Sequence, residues 1–337
     1  RMSESQVRLL LADLNMKGLV EFDYDKEEFR VKERLFNYVY GKTGKRDYDV
    51  IQFHSEPKEG HNAVLNLDNF DLHLEGVNGI LLSDSQQVYV YPSGGKIILK
   101  KNRDFLFAGK INAGRLDFYG REFSFEYDAF KLNLTNVDSL RIFAEVEGET
   151  DRMGRPLLKP VRSVIEAING ELLIDRPDNK SGYIFAPDYP IFHSHEDSYV
   201  YYDKQEVLGG VYKRDKFYFH LEPFTIDSVD NFNNQGLQFE GTLQSASIFP
   251  DFEETLRLQP DHSLGFERST PDEGYPIYKG KGQYYNGINL SNKGLRGDGK
   301  LEYLTSTTLS KDFIFFCAAT NFLSRGENSF SSILIAA

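Results

Sequence analysis

The stretch DFLFAGKINAGRLDFYGREFSFEYDAFKLNL, residues 104–134, decides the fold. Apolar and polar residues alternate along it, and Gly, Asn and Asp break the alternation into short runs. A period of two belongs to an extended chain, whose successive side chains point to opposite sides. The same texture runs outward through QVYVYP, KIILKK and SLRIFAEV. In AVLNLDNFDLHLEGV (63–77), Leu65 and Leu67 alternate, the phase slips at Asp68-Asn69, and Phe70, Leu72 and Leu74 resume it. Two short strands around a turn or bulge give that pattern. Strands do not alternate with long helical segments, which excludes a βαβ architecture. The expectation is a mainly β protein of rolled, stacked or solenoid-like sheets in two related β-units.

Three local expectations qualify this. PSGGK (92–96) lacks Walker spacing and reads as a hairpin turn between QVYVY and KIILK. In KPVRSVIEAINGEL (159–172), Val161, Val164, Ile165 and Ile168 fall at helical spacing between Pro160 and Gly170, which predicts a short helix. Gly297-Asp298-Gly299 reads as hairpin chemistry.

The first fifty residues differ. SESQVRLLLADLNMKGL carries Val7, Leu9, Leu10, Leu11, Leu14 and Met16 as a helical stripe, with Ser3 or Ser5 as N-cap and Gly18 as stop. LVEFDYDKEEFRVK then reads as a hairpin and ERLFNYVYG as a second helix. This order resembles part of a winged-helix module. Residues 1–50 hold ten Lys/Arg and ten Asp/Glu, so they lack the basic face of a DNA reader. We read them as a small packing unit. The expected domains are residues 1–50, a first β-unit at 51–155, and a second at 156–337, divided near the polar GETDRMGRPLLK.

Internal echoes support two related units. FLFAGKINAG (105–114) and LQFEGTLQSA (237–246) share a Phe-x-Gly core, Phe107 with Gly109 and Phe239 with Gly241. In each, Phe points inward and Gly leaves room for a neighbouring ring or backbone. YPIYKGKGQYYNG (275–287) is a looser third copy, with Tyr278 and Gly280 in those places. A second pair, FKLNLTNVDSL and FYFHLEPFTIDSV, runs into Asp138-Ser139 and Asp227-Ser228, both expected at turns.

Chemistry is sparse. In PIFHSHEDSYVYYDK (190–204), His193 and His195 are the weak candidates for a metal site, and no third ligand is tied to them. We read the stretch as a polar turn. Asp-rich NLDNFDLH and GLRGDGKLEY suit calcium in composition and match no calcium-loop spacing. There is no Gly-x-Ser-x-Gly elbow, and the single cysteine, Cys317, lies in the apolar run FIFFCAAT, where an inert thiol is expected. With 20 Tyr and no Trp, the candidate sugar-stacking rings are Tyr199, Tyr201, Tyr284 and Tyr285; cross-strand pairing is the competing use. A net charge of −12 opposes binding to nucleic acid or anionic lipid. No cofactor and no membrane insertion are expected.

DYDVIQFHSE, GVNGILLSDSQQVYVYP, KKNRDFLFAGKINAGRLDFYG and LSNKGLRGDGKLEYLTSTTLSKDFIFF resemble interior segments of very large uncharacterised proteins of Bacteroidetes-type bacteria. The resemblance covers most of residues 1–316. The tail FCAATNFLSRGENSFSSILIAA departs in texture, and truncation of the natural β-unit there is expected. The resemblance implies a bacterial origin, a larger parent protein, and the cell envelope or periplasm; it carries over no activity. Two functions remain open at this point. One is a non-catalytic structural or interaction module. The other is a polysaccharide-binding or polysaccharide-cleaving protein using the tyrosines and an acid pair.

Overall fold

The computed structural model describes residues 2–23, 25–49, 51–56, 59–317 and the backbone of 333–335. Most of the tail after Phe316, and with it the expected truncation, lies outside the described residues.

At the N-terminus, Ser3 caps helix α1 (Glu4–Met16) through a capping box. Its hydroxyl accepts from the Gln6 amide at 3.3 Å, and its own amide donates to Gln6 Oε1 at 2.8 Å. Gly18, at φ +66°, ends the helix and feeds the hairpin of β1 (Val20–Asp23) and β2 (Glu28–Val31), followed by α2 (Glu33–Lys42). The expected helix, hairpin and helix all form. Few side chains hold them together: Leu19, Val20 and Phe22 are the buried apolar residues of this unit among those described.

The rest is one antiparallel sheet. Strands β3 (Ala63–Leu65), β4 (Leu72–Leu74) and β5 (Ile80–Ser83) lead to β6 (Val88–Leu99), with which β4 and β5 both pair. Next come β7 (Phe105–Ala113), β8 (Leu116–Glu126) and the long β9 (Lys131–Thr150), each bonded to its predecessor. The chain then returns along β9 as β10 (Pro156–Pro160), β11 (Ile165–Glu166) and β12 (Ile168–Leu173). Strands β13 (Ile191–Ser194) and β14 (Ser198–Tyr201) pair with β12 and β11. In turn β15 (Phe217–Leu221) and β16 (Thr225–Ile226) pair with β14 and β13. The ladder continues through β17 (Gln238–Ser245), β18 (Phe252–Leu258), β19 (Leu264–Ser269), β20 (Tyr275–Ile277) and β21 (Gly282–Ser291). It ends with β22 (Gly294–Tyr303), β23 (Ser306–Phe315) and a short parallel β24 (Ile333–Ile335).

The sheet curls without closing. Strands β8 and β13 are separated by β9 and β12, which would hold them about 14 Å apart in a flat sheet. Yet the rings of Phe118 and Phe192 meet at 5.0 Å. The inner face therefore wraps on itself, and one contiguous buried cluster runs from Val77 to Phe315. Buried polar ties fasten the curl. Arg115 donates to the Phe232 carbonyl at 2.6 Å and to Glu145 at 2.7 Å, while Asn234 donates to the Glu145 carbonyl at 2.8 Å. No ladder joins β23 back to β3 among the described residues.

Four expectations need correction. Residues 159–172 form strands, not a helix: Ile165 and Ile168 are both fully buried, separated by Ala167 at φ +59°. The β-branched residues that mimic a helical stripe prefer a pleated surface, and β9 offers them a ladder. PSGGK does not reverse the chain. Strand β6 passes through it with a bulge between Pro92 and Ile97, because Gly94 and Gly95 at φ +61° and +67° let the extra residues loop out. Gly297-Asp298-Gly299 lies inside β22 at another register shift, and the reversal comes earlier, at Asn292-Lys293, just before Gly294 with φ +90°. Asp138 and Ser139 lie within β9 at a bulge opposite Tyr119 and Gly120 and form no turn.

The Phe-x-Gly echoes divide. Phe107 and Phe239 are both buried. A Cβ on Gly109 would stand 2.3 Å from the Tyr91 carbonyl, and one on Gly241 2.0 Å from that of His220. Each glycine thus admits a neighbouring backbone. Gly109 also sits at a bulge with φ +144°, whereas Gly241 lies in regular pairing. The third copy is no strand at that point: Tyr278, Lys279 and Gly280 form a turn with φ +49°, +63° and +82°.

Candidate functional site: the outer face of the sheet

Because alternate residues face inward, the side chains between them form a continuous outer face. Its richest part spans β9 to β17. The pairing Glu166–Tyr199, Tyr199–His220 and Tyr201–Tyr218 sets these residues side by side. Tyr199 stacks on Tyr201 at 6.0 Å, and Tyr218 and His220 pack against Tyr199 at 5.7 Å and 5.4 Å. Arg214, from the loop before β15, lies over the Tyr201 ring at 3.9 Å. It grips Glu166 with two bonds, 2.7 Å and 3.1 Å, and Asp203 at 2.8 Å. The Glu166 bond, reinforced by Asp203, holds the Arg214 guanidinium above its already high range. Its planar fork explains why arginine serves here: one face covers a ring while the edge meets two carboxylates.

The histidine pair lies at the next positions along the same face. His193, on β13, pairs with Glu171 of β12 and Thr225 of β16, and its Nδ1 is 2.9 Å from Thr225 Oγ1. His195 follows the strand and faces Glu171 at 3.7 Å. Glu171 is already taken by Lys131 at 2.9 Å. That hydrogen bond, with the charge of Lys131, holds the Glu171 carboxyl below its usual range against the opposing effect of burial. His220 meets Asp197 at 2.9 Å. The expected polar turn is instead a bulge: the chain bends at Glu196 and runs on from β13 into β14 along β12 and β11 without reversing, and His193 belongs to β13. Among the described residues no three His, Cys, Asp or Glu side chains converge as metal ligands would.

The four tyrosines singled out from sequence separate. Tyr199 and Tyr201 share the outer face, with Arg214 over Tyr201. Tyr285 is also outside, but Lys300 covers its ring at 4.0 Å and its hydroxyl donates to Glu302 at 3.1 Å. Tyr284 is fully buried, so it cannot stack on a ligand. Its hydroxyl donates to the Gly287 carbonyl at 2.8 Å and fills a space that a Cβ on Gly297 would invade at 2.2 Å. Gly297 in β22 therefore makes room for Tyr284 of the neighbouring strand β21.

Sequence reasoning missed a second set of inward tyrosines. Tyr212 donates to the Phe315 carbonyl at 2.8 Å and accepts from the Leu295 amide at 2.9 Å. Tyr202 donates to the Leu264 carbonyl at 3.1 Å. These phenols satisfy backbone groups inside the curl, and burial pushes both hydroxyl pKa values up. Tyr212 follows Gly209-Gly210 in a loop without alternation, so no period marks it as internal.

A groove of about 680 Å³ lies on the outer face of β6 to β9, with Ile98, Leu106 and Ala108 in its lining. Its rim charges are matched locally, with Lys96–Glu75 at 3.1 Å and Arg121–Asp138 at 3.2 Å. Cys317 is half-buried, and burial raises its thiol pKa, which opposes a nucleophilic role. Set against protein-family models, curated proteins and solved structures, the chain matches none.

Proposed function

We propose that the chain is a non-catalytic structural or interaction module of a large bacterial cell-envelope protein. It works without a cofactor, and other segments of the parent protein or further envelope proteins are its partners. One observation carries this reading: the rings and charges of the outer face are matched to one another. Arg214 covers Tyr201 and binds both nearby carboxylates, and Lys300 covers Tyr285 while meeting Glu302 at 2.7 Å. A sugar-binding platform needs open ring faces, and a hydrolase needs one carboxyl left free to carry a proton. The side chains in question serve instead as lateral ties of a wide sheet. Glycan-array binding tests the reading. A blank array is expected; a specific hit abolished by Tyr199→Ala would overturn it.

A further inference from the structure

The polar stretch GETDRMGRPLLK, residues 148–159, forms a β-ribbon that projects from the sheet. Among the described residues, β9 beyond Ile142 leaves β8 and pairs with β10 alone. Its last tie to the body is Glu145, whose amide donates to Asn234 at 3.0 Å and whose carbonyl accepts from Asn234 at 2.8 Å. Every residue from 147 to 160 is exposed or half-buried, and Met153 at the tip is 79% exposed. A Cβ on Gly148 or Gly154 would point into open space. Strand β10 begins and ends with Pro156 and Pro160, which have no amide hydrogen to give the ladder. The tip itself is closed by Asp151, which accepts from the Met153 and Arg155 amides at 2.8 Å and 3.0 Å. The ribbon can therefore open without uncovering the core, and a segment of that kind opens at small cost.

We propose that this ribbon is a processing site for an arginine-specific endoprotease, cut between Arg152 and Met153, and that the cut chain stays folded. The inference goes beyond the module reading and does not depend on it. Hydrolysis adds water across that bond, leaving a carboxylate on Arg152 and an ammonium group on Met153. A protease cleft takes an extended stretch of several residues, and the ribbon can supply one clear of the core. Other arginines of the sheet cannot. Arg155 and Arg176 precede Pro156 and Pro177, so the bond to be cut lacks an amide hydrogen. Arg103 lies over the Tyr127 ring at 4.6 Å, two residues from the fully buried Phe105. Arg214 is bound to Glu166 and Asp203. The cut ends stay together because pairing crosses between them well away from the ribbon. Strand β12 lies along β9 from Ile168–Val137 to Leu173–Lys131, and Lys131 meets Glu171 at 2.9 Å. Gln86 donates to Asp175 at 3.0 Å and Arg115 to the Phe232 carbonyl at 2.6 Å, and the buried cluster draws on both halves.

Limited digestion of the full chain with an arginine-specific endoprotease tests the proposal, with the cut positions read by mass. The first cut in the sheet should fall after Arg152, and Arg152→Gln should slow cutting of the sheet at least about tenfold. Arg155→Gln should still be cut at Arg152. In native buffer the two fragments should leave a size-exclusion column in one peak, and they should part only in denaturant. A first cut at another arginine of the sheet would overturn the proposal, as would a sheet left whole at the end of digestion. Arg152→Gln protein cut as fast as wild type would do the same. Fragments that separate in native buffer would show that the two halves do not hold without the ribbon, and would also overturn it.

Discussion

The N-terminal unit and the curled sheet are built from equally clear local signals, and they end in opposite states. Helix α1 has a complete capping box and an apolar stripe, yet not one of its residues is buried. Strand β7 has no cap and a glycine in its middle, yet Phe105, Ile111 and Ala113 have no exposed surface at all. Local signals specify the element; burial comes from what lies opposite. Strand β7 has β6 and β8 on either side, and its inward side chains lie within the buried core cluster. Helix α1 has a two-stranded hairpin. Apolar burial is the main source of stability, so the sheet should hold nearly all of it.

The sharpest way to break that contrast is to fill a glycine in the sheet. Gly241→Val and Gly109→Val would each drive a side chain into the backbone of a neighbouring strand, and at Gly109 the φ of +144° adds strain. Each should cost at least about 3 kcal/mol in urea unfolding. Neutrality at either would show that the two Phe-x-Gly stretches are not equivalent in space.

Removing one phenol comes next. Tyr212→Phe leaves the Leu295 amide and the Phe315 carbonyl without their shared partner inside the curl. A loss of about 1–3 kcal/mol is expected, read as a lower denaturation midpoint with unchanged slope. An unchanged midpoint would show that water reaches this end of the fold.

A pH titration separates the outer face from the core. The folded-state pKa of Glu171 is depressed, chiefly by its bond to Lys131. Its contribution is complete above the ordinary carboxylate range near pH 4.3 and is lost as pH falls through the lower folded value. Glu171→Gln should therefore cost less than about 1 kcal/mol at neutral pH and flatten the acid limb of the stability curve. An equal loss at every pH would mean that Glu171 acts through packing alone.

The smallest effect should come from the N-terminal unit. Leu9→Ser should move the melting of the sheet by no more than about 0.5 kcal/mol. A larger loss would mean that the unit is coupled to the sheet more tightly than its few contacts indicate. Chelator treatment should also leave the melting temperature where it was. A clear drop would restore the His193/His195 pair as metal ligands.

Where alternation was strong, as in 104–134, the strands and their inward faces were legible, because a period of two leaves only one way to bury one side. The capping box of α1 was legible for a similar reason: it is a contact between residues close in sequence. The errors fell where the same residue type serves two geometries. Gly-Gly in PSGGK permits a reversal or a bulge, and only the shared neighbour β7 on both sides of it selects the bulge. Val and Ile at 161–168 fit a helical stripe and a bent strand equally, and the length of β9 decides between them. At the outer face, the tyrosines were visible but their covering cations were not. Arg214 is ten or more residues from Tyr201, and Lys300 reaches Tyr285 across a ladder. Such contacts depend on register, which one sequence does not state.

The ladder order has a consequence for how the molecule is made. Nearly every strand bonds to one close by in the chain, so the sheet grows by successive hairpins as the polypeptide emerges, with little delay for distant segments to find each other. Longer-range ties fasten the curl afterwards, among them those of Gln86 to Asp175, of Arg115 to Phe232 and of Asn234 to Glu145. Until synthesis passes residue 234, the Arg115 and Asn234 ties cannot form, and part of the inward apolar side of the first half stays bare. That interval, rather than any hairpin, is when a nascent chain most needs a chaperone.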